Sequence, residues 1–425
     1  MRKFFVAVSL CLVLVAFGIS RFIPGDYESV FIARSNGKYY DQAKSYGLIK
    51  ILAVDLGLEP MIQSLLASYG AQYGVTTKDI DDLLRKDLLI VQNKEDIFVA
   101  LGPSPSAGKF VRFVSTLLGQ ELQISHKDDY LLISTSKELL DKCLKGGGSV
   151  PKEVMNLFND ERVWAVSYSP GMSISGAQFS SKGFVKVLSD RIYCEQILIA
   201  QNDAAKSILK QLTPSKNFEL VEDQGLSGEV FAFVNISDPS TVRTLFDFSK
   251  DVLQLSKTFG IDVKAQLETF EKLIDKFGGK AALSMQAAEI VESFLALDQS
   301  KEQKEQKVKM YAVMRMKTTL QELKNILGGE IQTFGKTQYL RTDDFYVVVE
   351  KDVVRLYTMP PYDYKPTSSS LEKAKQFFKS NEMSLFVFID FDPILDKLLG
   401  ITTGSAFVLY QSVENDLLKT IWYLK

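Results

Sequence analysis

One short pattern recurs six times along this chain, and it restricts the fold more than any other feature. An apolar residue, then an aromatic, then small or β-branched residues appear at Val30-Phe31-Ile32-Ala33, Ile97-Phe98-Val99-Ala100, Val163-Trp164-Ala165-Val166, Val230-Phe231-Ala232-Phe233, Met310-Tyr311-Ala312-Val313 and Leu385-Phe386-Val387-Phe388. Short apolar runs of this kind read as buried strands, so six of them do not by themselves require a repeat. The residues between them decide for one. Gly119-Gln120-Glu121-Leu122-Gln123 follows the second run and Gly328-Gly329-Glu330-Ile331-Gln332 follows the fifth. Asp128-Asp129-Tyr130 matches Asp343-Asp344-Phe345, and Ser175-Gly176-Ala177-Gln178-Phe179 matches Thr403-Gly404-Ser405-Ala406-Phe407. The offset grows from 200 at Phe31/Phe231 to 228 at Gly176/Gly404, as small insertions would make it. It dips to 209 at Gly119/Gly328, where the first copy carries a longer loop, Gly102–Lys109. A collinear series of this kind marks a duplicated unit.

The expected organisation is therefore a leader, residues 1–22, and two tandem copies of one domain, residues 23–224 and 225–425. Asn202–Gln224 has no counterpart and reads as a connecting helix, Ala204–Leu212, followed by a short strand. Each copy opens with a strand and continues into long helical segments: Ala43–Tyr69 in the first, Ser240–Phe259 and Val263–Phe277 in the second. Two strands, a helix and a hairpin follow. In the first copy the hairpin is Glu121–Ser125, a turn His126–Asp129, and Tyr130–Ser134, with clean alternation. Strands joined by short turns predict a mainly antiparallel sheet covered by helices, an α+β fold. Helix starts are marked at Asp238-Pro239 and Asp392-Pro393 by an N-cap before proline. Thr76-x-x-Asp79 and Ser369-x-x-Glu372 read as capping boxes. The polar run Ser300–Lys309 reads as a solvated loop. Met359–Pro366, with three prolines and two tyrosines, reads as a stiff linker.

The N-terminus predicts export. Arg2 and Lys3 precede the apolar run Phe4–Ile19, interrupted only by Ser9, and Arg21 follows. That is a positive n-region and an h-region. Gly18 and Ser20 supply small residues for cleavage after Ser20, the favoured outcome. The alternative is an uncleaved anchor through residues 4–19, which would span about 24 Å as a helix. Either way the basic pair stays inside and the rest lies outside, in the periplasm or at the cell surface. Cys11 sits within the apolar run after Leu10, which excludes a lipoprotein signal. Cys143 and Cys194 remain after export, and nothing in their spacing requires them to pair.

The residue inventory removes most chemistries. With 425 residues, 46% hydrophobic and 24% charged, the chain has globular composition and room for two or three domains. Charges of both signs are interspersed to a net −2, so a nucleic-acid partner has no basic face to bind. A single histidine, His126, excludes multi-histidine metal sites; it falls in the predicted hairpin turn, with Ser125 on the opposite strand face. Gly102–Phe110 approaches a phosphate loop but has five residues between its glycines, Phe110 where a hydroxyl is needed, and two prolines where amides are needed. Gly146-Gly147-Gly148 and Gly278-Gly279 follow helical segments and read as C-caps. Asp128/Asp129 and Asp343/Asp344 are the only paired acids at equivalent places, and turn formation accounts for them. Asp79, Asp81 and Asp82 fail the calcium-loop spacing and suit a helix start. An outer-membrane barrel does not suit the long helical segments. No catalytic, cofactor-binding or metal-ligating residues are assigned, and no cofactor is implied.

Ile23-Pro24-Gly25-Asp26, Gly228–Pro239, Phe259-Gly260-Ile261-Asp262 and Phe277-Gly278-Gly279-Lys280-Ala281-Ala282-Leu283 resemble a bacterial domain-of-unknown-function family of exported or anchored proteins with tandem α+β repeats. The resemblance implies location and fold; it carries no activity. The expectation is a non-catalytic extracytoplasmic binding or scaffold protein of the cell envelope, with an envelope protein or polymer as partner. A carboxylate-only hydrolase and a solute-binding protein are the alternatives.

Overall fold

All six apolar-aromatic runs form strands, because their small and β-branched neighbours fit a pleated surface buried on both faces. The computed structural model describes residues 19–118, 122–174, 176–239, 269, 271–288, 309–366 and 370–425. The run Phe4–Gly18, the Gly119 turn, Ser175, most of Ser240–Phe277, Ser300–Val308 and Ser369 lie outside the described residues. Two compact units emerge. One holds the described residues up to Ser173 together with Gln178–Gln201, and the other is essentially Asn202–Leu424.

The first unit contains β1 (Ser29–Ala33), β2 (Asp87–Asn93), β3 (Asp96–Gly102), β4 (Gln123–Lys127), β5 (Tyr130–Ser134), β6 (Val163–Ile174), β7 (Ala177–Val187) and β8 (Ile192–Ala200). They pair antiparallel in the order β4-β5-β3-β2-β1-β6, and β7 pairs with β8. The helices are α1 (Asn36–Ala43), α2 (Leu58–Gly70), α3 (Thr77–Leu84), α4 (Ala107–Leu118) and α5 (Lys137–Lys145). Consecutive residues feed opposite cores. Leu89 joins Phe98 and Leu132 beneath α5 and the N-terminal turn Ile19–Phe22. Leu88 joins Leu101, Leu131 and the faces of α3 and α4 through Ile80, Leu83, Phe110 and Phe113. This is the two-residue period of a sheet covered on both sides.

The second unit begins with α6 (Asp203–Gln211) and contains β9 (Val230–Asn235), β10 (Phe277–Met285), β11 (Met310–Met316), β12 (Glu330–Phe334), β13 (Thr337–Arg341), β14 (Tyr346–Glu350), β15 (Val353–Tyr357), β16 (Leu385–Asp390), β17 (Ala406–Glu414) and β18 (Leu417–Leu424). The order is β12-β13-β14-β15-β11-β10-β9-β16-β17-β18, again antiparallel. Its further helices among the described residues are α7 (Leu320–Leu327), α8 (Ser370–Phe377) and α9 (Asp392–Leu399). Phe231, Phe233, Tyr311, Phe386 and Phe388 are fully buried, and Phe233 stacks on Phe386 at 5.5 Å.

Both sheets are mainly antiparallel and helix-covered, as α+β patterning predicts. In each unit the first strand is central: β1 lies between β2 and β6, and β9 between β10 and β16. The next strand outward is β3 in one and β11 in the other. Beyond that they differ. Two strands lie outside β3, and four lie outside β11. The Asp128-Asp129 turn joins the two strands next to β3, while Asp343-Asp344 joins β13 to β14, one hairpin further out than the β14–β15 turn.

Several sequence expectations need correction. The hairpin turn is only Asp128-Asp129, both at positive φ, so the ladder runs through Lys127 and Tyr130 and His126 is a strand residue. Two consecutive left-handed residues make the tight turn whose twist matches its strands. The expected helix Ala43–Tyr69 is broken: α1 ends at Ala43, a turn Gly47–Lys50 widens into a π-helical turn Ile51–Asp55, and α2 starts after Gly57 at φ 65°. Gly278-Gly279 lie inside β10 at an irregularity of register rather than at a helix end, with Gly279 at φ 81°. The segment after α6 forms a 3-10 turn, Glu219–Glu222, not a strand. Asp392 is the first residue of α9, and its carboxylate accepts from the amides of Thr403 and Gly404. Phe31 and Trp164 are only half-buried, because the Trp164 indole turns to donate to Asn36 Oδ1 at 2.8 Å and Phe31 straddles both cores. The Thr76/Asp79 capping box is present, and neither Cys143 nor Cys194 is in a disulfide.

Candidate binding site

Tyrosines enrich the meander β11-β15-β14-β13, and register brings them together. Tyr311 faces Tyr357 across β11–β15, and Tyr357 faces Tyr346 across β15–β14. The ring centroids of Tyr311 and Tyr357 lie 5.0 Å apart, edge to face. Tyr364, from the segment Met359–Pro366, stacks on Tyr311 at 5.5 Å and meets Tyr357 edge-on at 5.4 Å. Such offset and edge-on pairs add about 0.5–1.5 kcal/mol each beyond area burial. Met359–Pro366 is therefore the wall of a site, where the sequence suggested only a linker.

The cleft so formed has a volume of about 690 Å³. Its floor carries one charged knot. Asp223 Oδ1 accepts from the Tyr311 hydroxyl at 2.5 Å and the Gly225 amide at 3.0 Å, while Oδ2 accepts from Arg355 Nε and Nη2 at 3.1 and 3.0 Å. Arg355 Nη1 donates to Glu350 Oε2 at 2.6 Å. The third acid, Glu222, pairs with Lys375 at 2.9 Å. The turn bearing these acids is tied down by Glu219, which accepts from Lys280 at 2.8 Å and Arg315 at 2.8 Å. Gly225 crosses so close to Tyr311 that a Cβ there would sit 2.3 Å from the ring. Its carbonyl accepts from the Tyr364 hydroxyl at 2.9 Å.

Ionisation follows from this packing. Burial pushes the Tyr311 phenol well above its ordinary value, and the Asp223 carboxylate it bonds pushes it further. Burial raises Tyr357 to about 12 and raises Tyr364 as well. Burial alone would weaken the charge of Arg355, but Asp223 beside it more than reverses that. The floor thus presents neutral phenols and one guanidinium, Arg355, shared between the carboxylates of Asp223 and Glu350. An acid or base catalyst needs a proton it can give up or a free lone pair near the operating pH. Asp223 has its lone pairs occupied by four donors, and each other acid in the cleft has a cation on it.

The rim is different. Phe334 and Tyr362 stack at 4.2 Å with ring planes 27° apart, yet are 57% and 47% exposed. A stacked aromatic pair turned to solvent above a polar floor is the arrangement of a ligand platform rather than of a core.

The residues singled out from sequence lie elsewhere. His126 is exposed on β4, its ring against Gly108 at the start of α4. Asp128 pairs with Arg21 at 3.2 Å. Asp79 holds Lys109, Asp82 holds Lys86, and Asp81 approaches Arg85. Gly102–Ser106 joins β3 to α4, with Ser104 bonded to Asp82. Among the described residues no cluster of three His, Cys, Asp or Glu side chains could hold a metal. The one sequence signal for the cleft was tyrosine density: Tyr339, Tyr346, Tyr357, Tyr362 and Tyr364 fall close together. Comparison with known protein families, with curated proteins and with solved structures finds no match.

Proposed function

We propose that this chain is an exported, non-catalytic binding or scaffold protein of the cell envelope, and that it holds its partner in the tyrosine-lined cleft of the second unit. One observation carries the reading: the cleft offers exposed and half-exposed aromatic faces, while each of its acids is ion-paired, Asp223 and Glu350 sharing Arg355 and Glu222 holding Lys375. Such a surface gains by stacking and by neutral hydrogen bonds, which suits an extended envelope polymer such as a glycan strand, whose sugar rings have one apolar face. The carboxylate-only hydrolase is less well supported, since Asp223 and Glu350 are both tied to Arg355 rather than turned together toward an open substrate position.

The duplication belongs to the same proposal. Supporting it are the central placements of β1 and β9 and the matching neighbours β2/β10, β6/β16 and β3/β11. By pairing order β12 and β13 are the extra strands of the second unit and supply Phe334 and Tyr339 of the cleft; that order equates β4 with β14, not β12, so the sequence matches Gly119/Gly328 and Asp129/Asp344 do not fall on equivalent hairpins. On this reading one copy acquired a binding surface that the other lacks.

The test is co-sedimentation of the full chain with purified cell-wall glycan. Phe334→Ala with Tyr362→Ala is expected to lower retention at least tenfold with no change in melting temperature, since both rings are exposed. Unaltered retention sinks the cleft as the binding site. Release of soluble fragments by the wild type but not by Glu350→Gln would make the protein a hydrolase instead. Export is tested separately by fusing residues 1–40 to a reporter active only outside the cytoplasm; no signal refutes it.

A further inference from the structure

The first unit exposes an apolar surface that its own fold does not use. Of the fourteen large hydrophobic side chains exposed among the described residues, seven lie between Leu52 and Tyr69. Val54, Leu56, Met61, Ile62, Leu65 and Tyr69 each leave about half or more of their surface open. Along α2 only Gly70 is buried, and the helix rests on the body through Leu66 and Ala67. Its side-chain link to α3 is Gln63 to Asp81, at 3.5 Å. The two acids in the stretch, Asp55 and Glu59, are paired with Lys50 and Lys44. No single described helix is long and apolar enough to cross a membrane, and this pair of segments bends by 45° at Leu56-Gly57. By length and composition the two segments could cross a membrane only as a broken span, yet the helix also rests on the body of the unit through Leu66 and Ala67, which suits a segment lying in the interface.

The start of the described chain says what covers this face. The apolar run Phe4–Ile19 ends on a residue that is itself core: Ile19 is 0% exposed and Phe22 2%, both packed with Phe98 and Tyr130. Ile23 O accepts from the Gly148 amide at 2.9 Å, and a Cβ on Gly146 or Gly148 would strike the carbonyls of Arg21 or Pro24 at 2.2 and 1.9 Å. Cleavage after Ser20 would split the turn Ile19–Phe22 and remove a core side chain. With the run retained, no linker separates it from the first unit. The exit point and the apolar face also share one end of the sheet. Arg21 pairs with Asp128; the neighbouring Asp129 carbonyl accepts from the Ser104 amide at 2.8 Å; Ser104 Oγ donates to Asp82 of α3 at 2.6 Å; and α3 carries α2.

We infer that the first unit is seated on a lipid bilayer at two points, the uncleaved run 4–19 within it and the apolar face of Ile51–Tyr69 in its headgroup boundary. The inference rests on the export reading of the N-terminus. Near this end Asp79, Asp81, Asp82 and Asp128 each have a basic neighbour, and the inferred attachment is apolar.

The experiment uses the full chain with Cys11→Ser and Cys194→Ser, labelled with an environment-sensitive dye at Leu65→Cys and reconstituted in phosphatidylcholine vesicles. A control label is placed at Asp416→Cys. The dye at position 65 should shift to the blue and be quenched by lipids carrying a quencher on the acyl chain, at least threefold more than the control. Equal quenching at the two positions overturns the inference. So does dye–dye self-quenching at position 65 without lipid quenching, which would make the face a contact between copies. Membrane-purified protein should begin at its original N-terminus, and a chain beginning at Arg21 overturns the two-point attachment. A chain found only in cytosol refutes export itself, an outcome distinct from a membrane-held chain whose position 65 stays in water.

Discussion

Tyr311 sits at the floor of the cleft with its ring fully buried and its hydroxyl on Asp223, so replacing it by phenylalanine isolates one hydrogen bond. The ring keeps its contacts with Tyr357 and Tyr364, and no cavity opens. What is lost is a 2.5 Å bond to a carboxylate whose side chain is only 13% exposed. A bond to a charged group contributes about 1.5–3 kcal/mol, and a half-desolvated acceptor that loses a donor falls toward the upper part of that range. For a unit of this size each kcal/mol moves the midpoint by about 2–4 °C, so Tyr311→Phe should lower the second unit's transition by about 3–12 °C. Each unit contains one tryptophan, Trp164 and Trp422. In a Trp164→Phe background, fluorescence in urea therefore reports the second unit alone. Asp223→Asn completes a double-mutant cycle, with an expected coupling of about 0.5–3 kcal/mol. Additive effects within about 0.3 kcal/mol would refute the bond, and with it the account of a floor organised by this knot.

Glu219 supplies a pH test: burial alone would raise its carboxyl, but Lys280, its own backbone amide and Arg315 outweigh that and hold it at about 2 against an ordinary 4.5. A depressed carboxyl stabilises above the unfolded value, so its contribution, about 1 kcal/mol or less at this exposure, should be lost as pH falls from about 4.5 to 2. Glu219→Gln should flatten urea midpoints in that window, and an unchanged slope counts against the ion pairs. Gly148→Ala should destabilise the first unit by several kcal/mol, because its Cβ meets the Pro24 carbonyl at 1.9 Å; a midpoint loss under about 1 kcal/mol in Trp164-monitored unfolding would contradict that approach. Ile19→Ala should cost the same unit about 2–5 kcal/mol by the same assay, and a neutral result would mean the N-terminal turn is not core. Cys143 is buried and its thiol is pushed up to about 12 by that burial, so native protein should label with a thiol reagent at Cys194 long before Cys143. Equal rates would show the α5 core to be open.

The six apolar-aromatic strands and the helix start at Thr76 were legible because their causes are local. Val30–Ala33 and Leu385–Phe388 pair small, β-branched and aromatic residues within four positions, and the Thr76/Asp79 box closes within one turn. Local reasoning failed where a long-range contact or a backbone choice intervened. Gly278-Gly279 looks like a helix end until β9 and β11 pair with the strand it interrupts, from Lys280 onward on one side and around the register shift Phe277/Ala281 on the other. Ala43–Tyr69 is helical in pattern, yet the chain breaks at Lys44–Tyr46 so that Tyr39, Ala43 and Tyr46 can pack with Val187 while α2 turns outward. The cleft was the least legible feature, since its walls come from Glu222–Gly225, from the strands β11 to β15, and from Pro361–Pro366. Each segment alone reads as a turn, a strand or a linker. Only antiparallel register, setting Tyr311 opposite Tyr357 and bringing Tyr364 over both, makes them one surface, because cross-strand proximity is fixed by pairing and not by distance along the chain.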